Sequence, residues 1–102
     1  MTISIGDYTF DGPHQNTSPI SNNSGVYVIL CFYDNKYHVI DIGESATVKD
    51  RLDTHDRKEC WDKNCRGIIH YAVLYTPNKQ QPGRMEIEQA LRKKYKPVCG
   101  KR

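Results

Sequence analysis

Gly25-Val26-Tyr27-Val28-Ile29-Leu30-Cys31-Phe32-Tyr33, then Asp34-Asn35-Lys36, then Tyr37-His38-Val39-Ile40-Asp41-Ile42-Gly43, is the stretch that decides the architecture. Its flanks are rich in β-branched and aromatic residues and its middle is polar, so it reads as a β-hairpin. A three-residue loop at Asp34 to Lys36 pairs Tyr33 with Tyr37, Ile29 with Asp41 and Tyr27 with Gly43. The two-residue strand period then puts Tyr27 and Asp41 on one face. Val26, Val28, Leu30 and Phe32, with Ile40 and Ile42, take the other face as core.

Beyond Gly43, Ser45 or Thr47 offers an N-cap to a helix with Asp50 in its first turn and Val48 and Leu52 as its apolar stripe. On that helix Arg51 and His55, four residues apart, share a face. Residues 68–76, bounded by Gly67 and Pro77, read as a third strand. A Pro82-Gly83 turn leads into a helix over about residues 84–95, which Pro97 ends. Residues 1–24 are rich in Ser, Asn, Gly and Pro. They read as a lead-in with one short strand near residues 3–10 and a turn at Gly12-Pro13. The expectation is a single α/β (α+β) domain carried by residues 25–102, with a small, largely antiparallel three-stranded sheet flanked by helices.

The chain has 102 residues, 37% apolar and 26% charged, which suits one domain with a modest core. No window approaches the roughly 18 apolar residues of a membrane span, and MTISIGDYTF lacks the basic start and apolar run of a secretory signal. A cytoplasmic protein is therefore expected, with Cys31, Cys60, Cys65 and Cys99 as reduced thiols. The net charge is +3 but uneven, because residues 84–102 hold seven Lys or Arg against Glu86 and Glu88. Such a segment suits a phosphate backbone. The run Arg92-Lys93-Lys94 equally suits the solvated C-terminal turn of a helix.

Taken in order, Gly-Val-Tyr on a first strand, Asp-Ile-Gly on a second, an arginine eight residues later and a glutamate on a closing helix resemble the GIY-YIG nuclease family. Gly25-Val26-Tyr27 is similar to the GIY element, Asp41-Ile42-Gly43 to YIG, Arg51 to the family arginine and Glu88 to its metal-binding glutamate. The resemblance covers roughly residues 25–100. It implies a metal-dependent endonuclease acting on DNA with one divalent ion, Mg²⁺ or Mn²⁺. Tyr27 then orients or deprotonates the attacking water, Arg51 holds the phosphate and Glu88 holds the metal. Periodicity does not separate Glu86 from Glu88, but the family spacing to Pro97 selects Glu88.

Around this set, His55 is a candidate proton relay or phosphate contact, since an ordinary histidine titrates near neutrality. Asp41 is a candidate second carboxylate for a hard cation. Arg51, Arg92, Lys93 and Lys94 are the candidate nucleic-acid contacts. The chain departs from the family pattern twice: Asp41 stands where YIG has tyrosine, and Gly100 where an asparagine is expected. Those departures frame the alternative, a non-catalytic nucleic-acid-binding module of the same fold. A third reading is a zinc-stabilised interaction domain using His55, Cys60, Cys65 and Cys99. Against all three stand plain structural roles: Tyr27 as a strand aromatic, Arg51 paired with Asp50 or Glu44, Trp61 as packing.

Overall fold

The hairpin forms as β3 (Gly25–Tyr33) and β4 (Lys36–Ser45) in a computed structural model that describes residues 1–100. Lys101 and Arg102, counted above in the basic segment, lie outside the described residues. The loop is tighter than expected. Asp34 and Asn35 both take positive φ, 54° and 61°, the pattern of a two-residue type I′ turn whose twist matches the strands. Tyr33 therefore opposes Lys36, and Phe32 opposes Tyr37. A one-residue bulge at Ile40 then absorbs the difference, so that Ile29 still faces Asp41 and Tyr27 still faces Gly43. The bulge also turns Ile40 into the cluster that holds Tyr27, not onto the opposite face.

The sheet has five strands, not three: β1 (Thr2–Ile5) and β2 (Tyr8–His14) join β5 (Ile68–Tyr75) and the hairpin in the order β1-β2-β5-β3-β4, with every pairing antiparallel. What reads as a lead-in is thus half sheet, and Gly12-Pro13 sits inside β2 rather than in a turn. The class is α+β. Strand β3 lies between β5 and β4, and both its faces are covered. Helix α3 (Gln81–Tyr95) packs Ile87 and Leu91 against Phe10, Val26, Val28, Leu30 and Ile42. On the other face, α1 (Val48–Asp53) and α2 (Lys58–Lys63) bring Val48, Leu52 and Trp61 over Tyr27, Ile29 and Cys31. Burying such large side chains stabilises the fold by about 1.5–3 kcal/mol each.

Where one helix is expected after Gly43, there are two short ones. Helix α1 stops at Asp53, so His55 stands in the connection and does not share a helix face with Arg51. Neither Ser45 nor Thr47 caps α1 through its side chain onto the helix. Asn22 does so from the opening segment, its Oδ1 accepting the Asp50 N–H at 3.0 Å and its Nδ2 donating to the Asp50 carboxylate at 3.1 Å. Helix α3 begins at Gln81, because Pro82 is compatible with a first helical turn and does not have to precede it.

All four cysteines are paired, Cys31 with Cys65 and Cys60 with Cys99. This corrects the expectation of reduced thiols and removes the zinc reading, which needs thiolates at Cys60, Cys65 and Cys99. It also withdraws the cysteine argument for a reducing compartment. Among the described residues, no helix is long and apolar enough to cross a membrane. After α3 the chain turns through Lys96 in the left-handed region and passes Pro97, and the Cys99 N–H donates to the Ile40 carbonyl of β4 at 3.0 Å. The tail thereby crosses the outer edge of β4 to reach α2.

Candidate functional site

Tyr27 and Gly43 are cross-strand partners, and the missing side chain of Gly43 makes the room that the phenol occupies. A Cβ on Gly43 would stand 2.1 Å from Tyr27 Oη, so any larger residue there evicts the ring. The phenol is buried, and its oxygen lies 2.6 Å from His55 Nε2. Burial raises the Tyr27 phenol to about 12 against the lowering charges of Arg51 and Arg57. Tyr27 is accordingly a neutral phenol in the free protein.

His55 has its own direction fixed. The backbone N–H of Arg57 donates to His55 Nδ1 at 3.0 Å, and a backbone N–H can only donate. Asp56 Oδ1 also lies 3.3 Å from Nδ1, a pairing that requires a protonated nitrogen. Burial, followed by the charges of Arg51 and Arg57, lowers His55 to about 4, so the imidazole is neutral at pH 7 and the Arg57 contact decides. The single ring proton then sits on Nε2 and is donated to Tyr27 Oη. The phenol keeps its own proton for another acceptor.

This burial has a pH signature. An unfolded histidine protonates near 6.5 while folded His55 resists to about 4, so the unfolded state binds more protons between those values. Stability is complete above pH 6.5 and should fall by about 3 kcal/mol as pH drops towards 4. Urea unfolding at stepped pH measures it. His55→Gln should flatten that window, and an unchanged slope in the variant would assign the acid sensitivity elsewhere.

Asp41, the departure from YIG, is fully buried and receives five N–H donors. Arg57 grips it through Nε at 2.8 Å and Nη2 at 3.3 Å, Trp61 Nε1 donates at 2.7 Å, Arg92 Nη2 at 2.8 Å, and the Ile42 N–H at 2.8 Å. Burial pushes this carboxyl up, but hydrogen bonds from Arg57 and Trp61 outweigh it and hold the group below the usual carboxylate range. A carboxylate offers about four lone-pair directions, so none remains for a metal ion. Asp41 is an anchor for two arginines, and the second-ligand expectation gives way to that role. Gly100 belongs to the same arrangement, with φ +74° and a Cβ position that would fall 2.6 Å from Arg92 and 2.9 Å from Arg57. An asparagine there would collide with both guanidiniums.

Comparison with protein-family models, curated proteins and solved structures finds no match.

The remaining candidates are unequal. Arg51 is beside Tyr27, lowering its phenol by charge and by hydrogen bond, and its Nη2 meets Asp56 at 3.1 Å rather than Asp50 or Glu44. Glu44 pairs instead with Arg84 at 2.9 Å. Glu88 is buried while Glu86 is exposed, and Arg92 Nε lies 3.9 Å from the Glu88 carboxylate. Among the described residues no group of three or more His, Cys, Asp or Glu side chains gathers in a metal-binding arrangement. Arg92 is spent inside the fold, donating to Asp41 and to the carbonyls of Ile42, Cys99 and Gly100. That corrects its assignment as a nucleic-acid contact, whereas Lys93 and Lys94 are exposed. Two residues were missed, Arg57 and Trp61. The signal for them was Asp41 itself, since a carboxylate at an inward strand position demands cationic and N–H partners.

Proposed function

We propose that the chain is a metal-dependent endonuclease that hydrolyses phosphodiester bonds of DNA at a site centred on Tyr27. The observation that supports this most is the 2.6 Å contact of Tyr27 Oη with His55 Nε2 beside the guanidiniums of Arg51 and Arg57. Phosphodiester hydrolysis needs an oriented water, positive charge on the phosphoryl oxygens and assistance to the leaving oxygen. Tyr27 accepts from His55 and from Arg51 and retains its own proton, so it can orient a water or a phosphate oxygen by donating to it. Arg51, whose side chain is 38% exposed, is the group that reaches the phosphate. Glu88 would hold Mg²⁺ or Mn²⁺, and a single carboxylate suits Mg²⁺, which keeps most of its water shell. Such an ion, when bound, supplies charge neutralisation at the leaving oxygen. Lys93 and Lys94 are exposed cations of α3, Lys94 beside Tyr95 and Gly6, and would add charge for a longer strand away from Tyr27.

The test is nicking of supercoiled plasmid with Mg²⁺ or Mn²⁺. Cleavage that stops with chelator and falls at least about a hundredfold in Tyr27→Phe, with a comparable loss in Glu88→Gln, is the expected result. Two observations favour the binding-module alternative: the neutral Tyr27 phenol and the filling of the YIG-tyrosine position by Asp41 and its arginines. Retention of a labelled duplex without nicking, in either metal, would select that alternative.

A further inference from the structure

Asp41 is gripped by two guanidiniums, Arg57 and Arg92, and the Glu88 carboxylate lies 3.9 Å from Arg92 Nε, so the two cations are matched by two carboxylates. The two arginines differ in what they turn outward. Arg92 is 16% exposed and is committed to three backbone carbonyls besides Asp41, with Glu88 also beside it. Arg57 is 27% exposed, and Asp41 holds only its Nε and Nη2, so Nη1 takes no part in the grip. The donor left outside the grip therefore belongs to Arg57.

Its position is tied to the site from two directions. The backbone N–H of Arg57 sets the His55 ring, and its guanidinium charge lowers both His55 and Tyr27. Arg57 also lines an open recess of about 440 Å³ with Asp56, Glu59, Cys60, Lys63 and Asn64. The two carboxylates on that recess are each matched by a cation, Asp56 by Arg51 at 3.1 Å and Glu59 by Lys63 at 3.6 Å. Neither forms an ion pair with Arg57.

We propose that Arg57, held ready by Asp41, is a second phosphate-binding cation, taking a backbone phosphate of the nucleic-acid strand next to the one held by Arg51. The inference rests on the nucleic-acid reading of the Tyr27 site. It gives the YIG departure a purpose: the carboxylate at 41 presents an arginine where the family pattern has a phenol. A guanidinium with its fork oriented by a buried carboxylate loses little freedom on meeting a phosphate.

The experiment is binding of a fluorescent DNA duplex and the matching single strand, read by anisotropy across a salt series without added metal. Arg57→Gln should weaken binding about fivefold to tenfold and reduce the slope of log affinity against log salt by about one phosphate contact. Arg57→Lys should keep the slope while losing part of the affinity. A full slope and affinity in Arg57→Gln, with both reduced in Arg51→Gln, overturns the role of Arg57 and leaves the nucleic-acid reading intact. A wild-type protein with no salt-dependent affinity for either strand form overturns both.

Because Arg57→Gln leaves Asp41 short of a partner and risks misfolding, the wild-type protein carries a second arm. Phenylglyoxal labelling mapped by mass spectrometry should modify Arg57 in the free protein and spare it when oligonucleotide is bound. Equal labelling of Arg57 with and without oligonucleotide, while Arg51 is protected, overturns the proposal.

Discussion

Replacing Asp41 by alanine should destabilise the protein by about 3 kcal/mol, near the lower end expected when one partner of a buried ion pair is removed. Five N–H groups lose their acceptor together, two guanidiniums among them. The figure stays at the lower end because Arg57 is partly exposed and can turn into water, while Arg92 and the Trp61 indole cannot. Urea unfolding at pH 7 measures it. Asp41→Asn should cost less, since one oxygen remains for Trp61. A loss below about 1 kcal/mol in the alanine variant would mean that the arginines hold their places without the carboxylate. Asp41→Tyr would not simply complete the resemblance to a YIG element, because a ring at this fully buried position must evict Trp61 or a guanidinium.

The Cys60–Cys99 bridge should matter still more. It closes a loop of 39 residues, for which chain-entropy reasoning gives about 4 kcal/mol. Cys60 lies on α2 between Arg57 and Trp61, and Cys99 precedes Gly100, so the bridge fastens two groups that converge on Asp41. The Cys60→Ser, Cys99→Ser double variant should therefore melt far below the parent, by a margin comparable to the Asp41→Ala loss or larger. Its remaining two cysteines should still be paired. Thiol titration of the native parent comes first, and free thiols there would remove the premise.

The hairpin, its central strand and the closing helix were legible because each rests on local pattern: β-branched runs, a polar turn, and a helix stopped by proline. The cross-strand pairs Tyr27/Gly43 and Ile29/Asp41 were legible for a less direct reason. The turn was one residue shorter than expected and the bulge at Ile40 restored the register, two local effects that no period-two count separates. The strands β1 and β2 were obscured because the polar, glycine-containing β2 gains its order from pairing with β5, a contact across more than fifty residues of chain, and β1 pairs only with β2. The same holds for the site. Tyr27 and Arg51 stood out by local pattern and by a resemblance, and the structure places them side by side, whereas the meeting of Arg57, Trp61 and Arg92 at Asp41 depends on three separate elements. The disulfides were hidden because cysteine spacing alone does not report which sulfurs the fold brings within reach.

Strand β4 ends the sheet, and a free outer edge of this length is an invitation to intermolecular strand addition. Here the carbonyl of Ile40 is taken by the Cys99 N–H and that of Ile42 by Arg92. The opposite border is the four-residue β1, too short to template much. The tail that completes the arginine arrangement at Asp41 therefore also covers part of the β4 edge, and opening the Cys60–Cys99 bridge should loosen that cover and the arginine arrangement together.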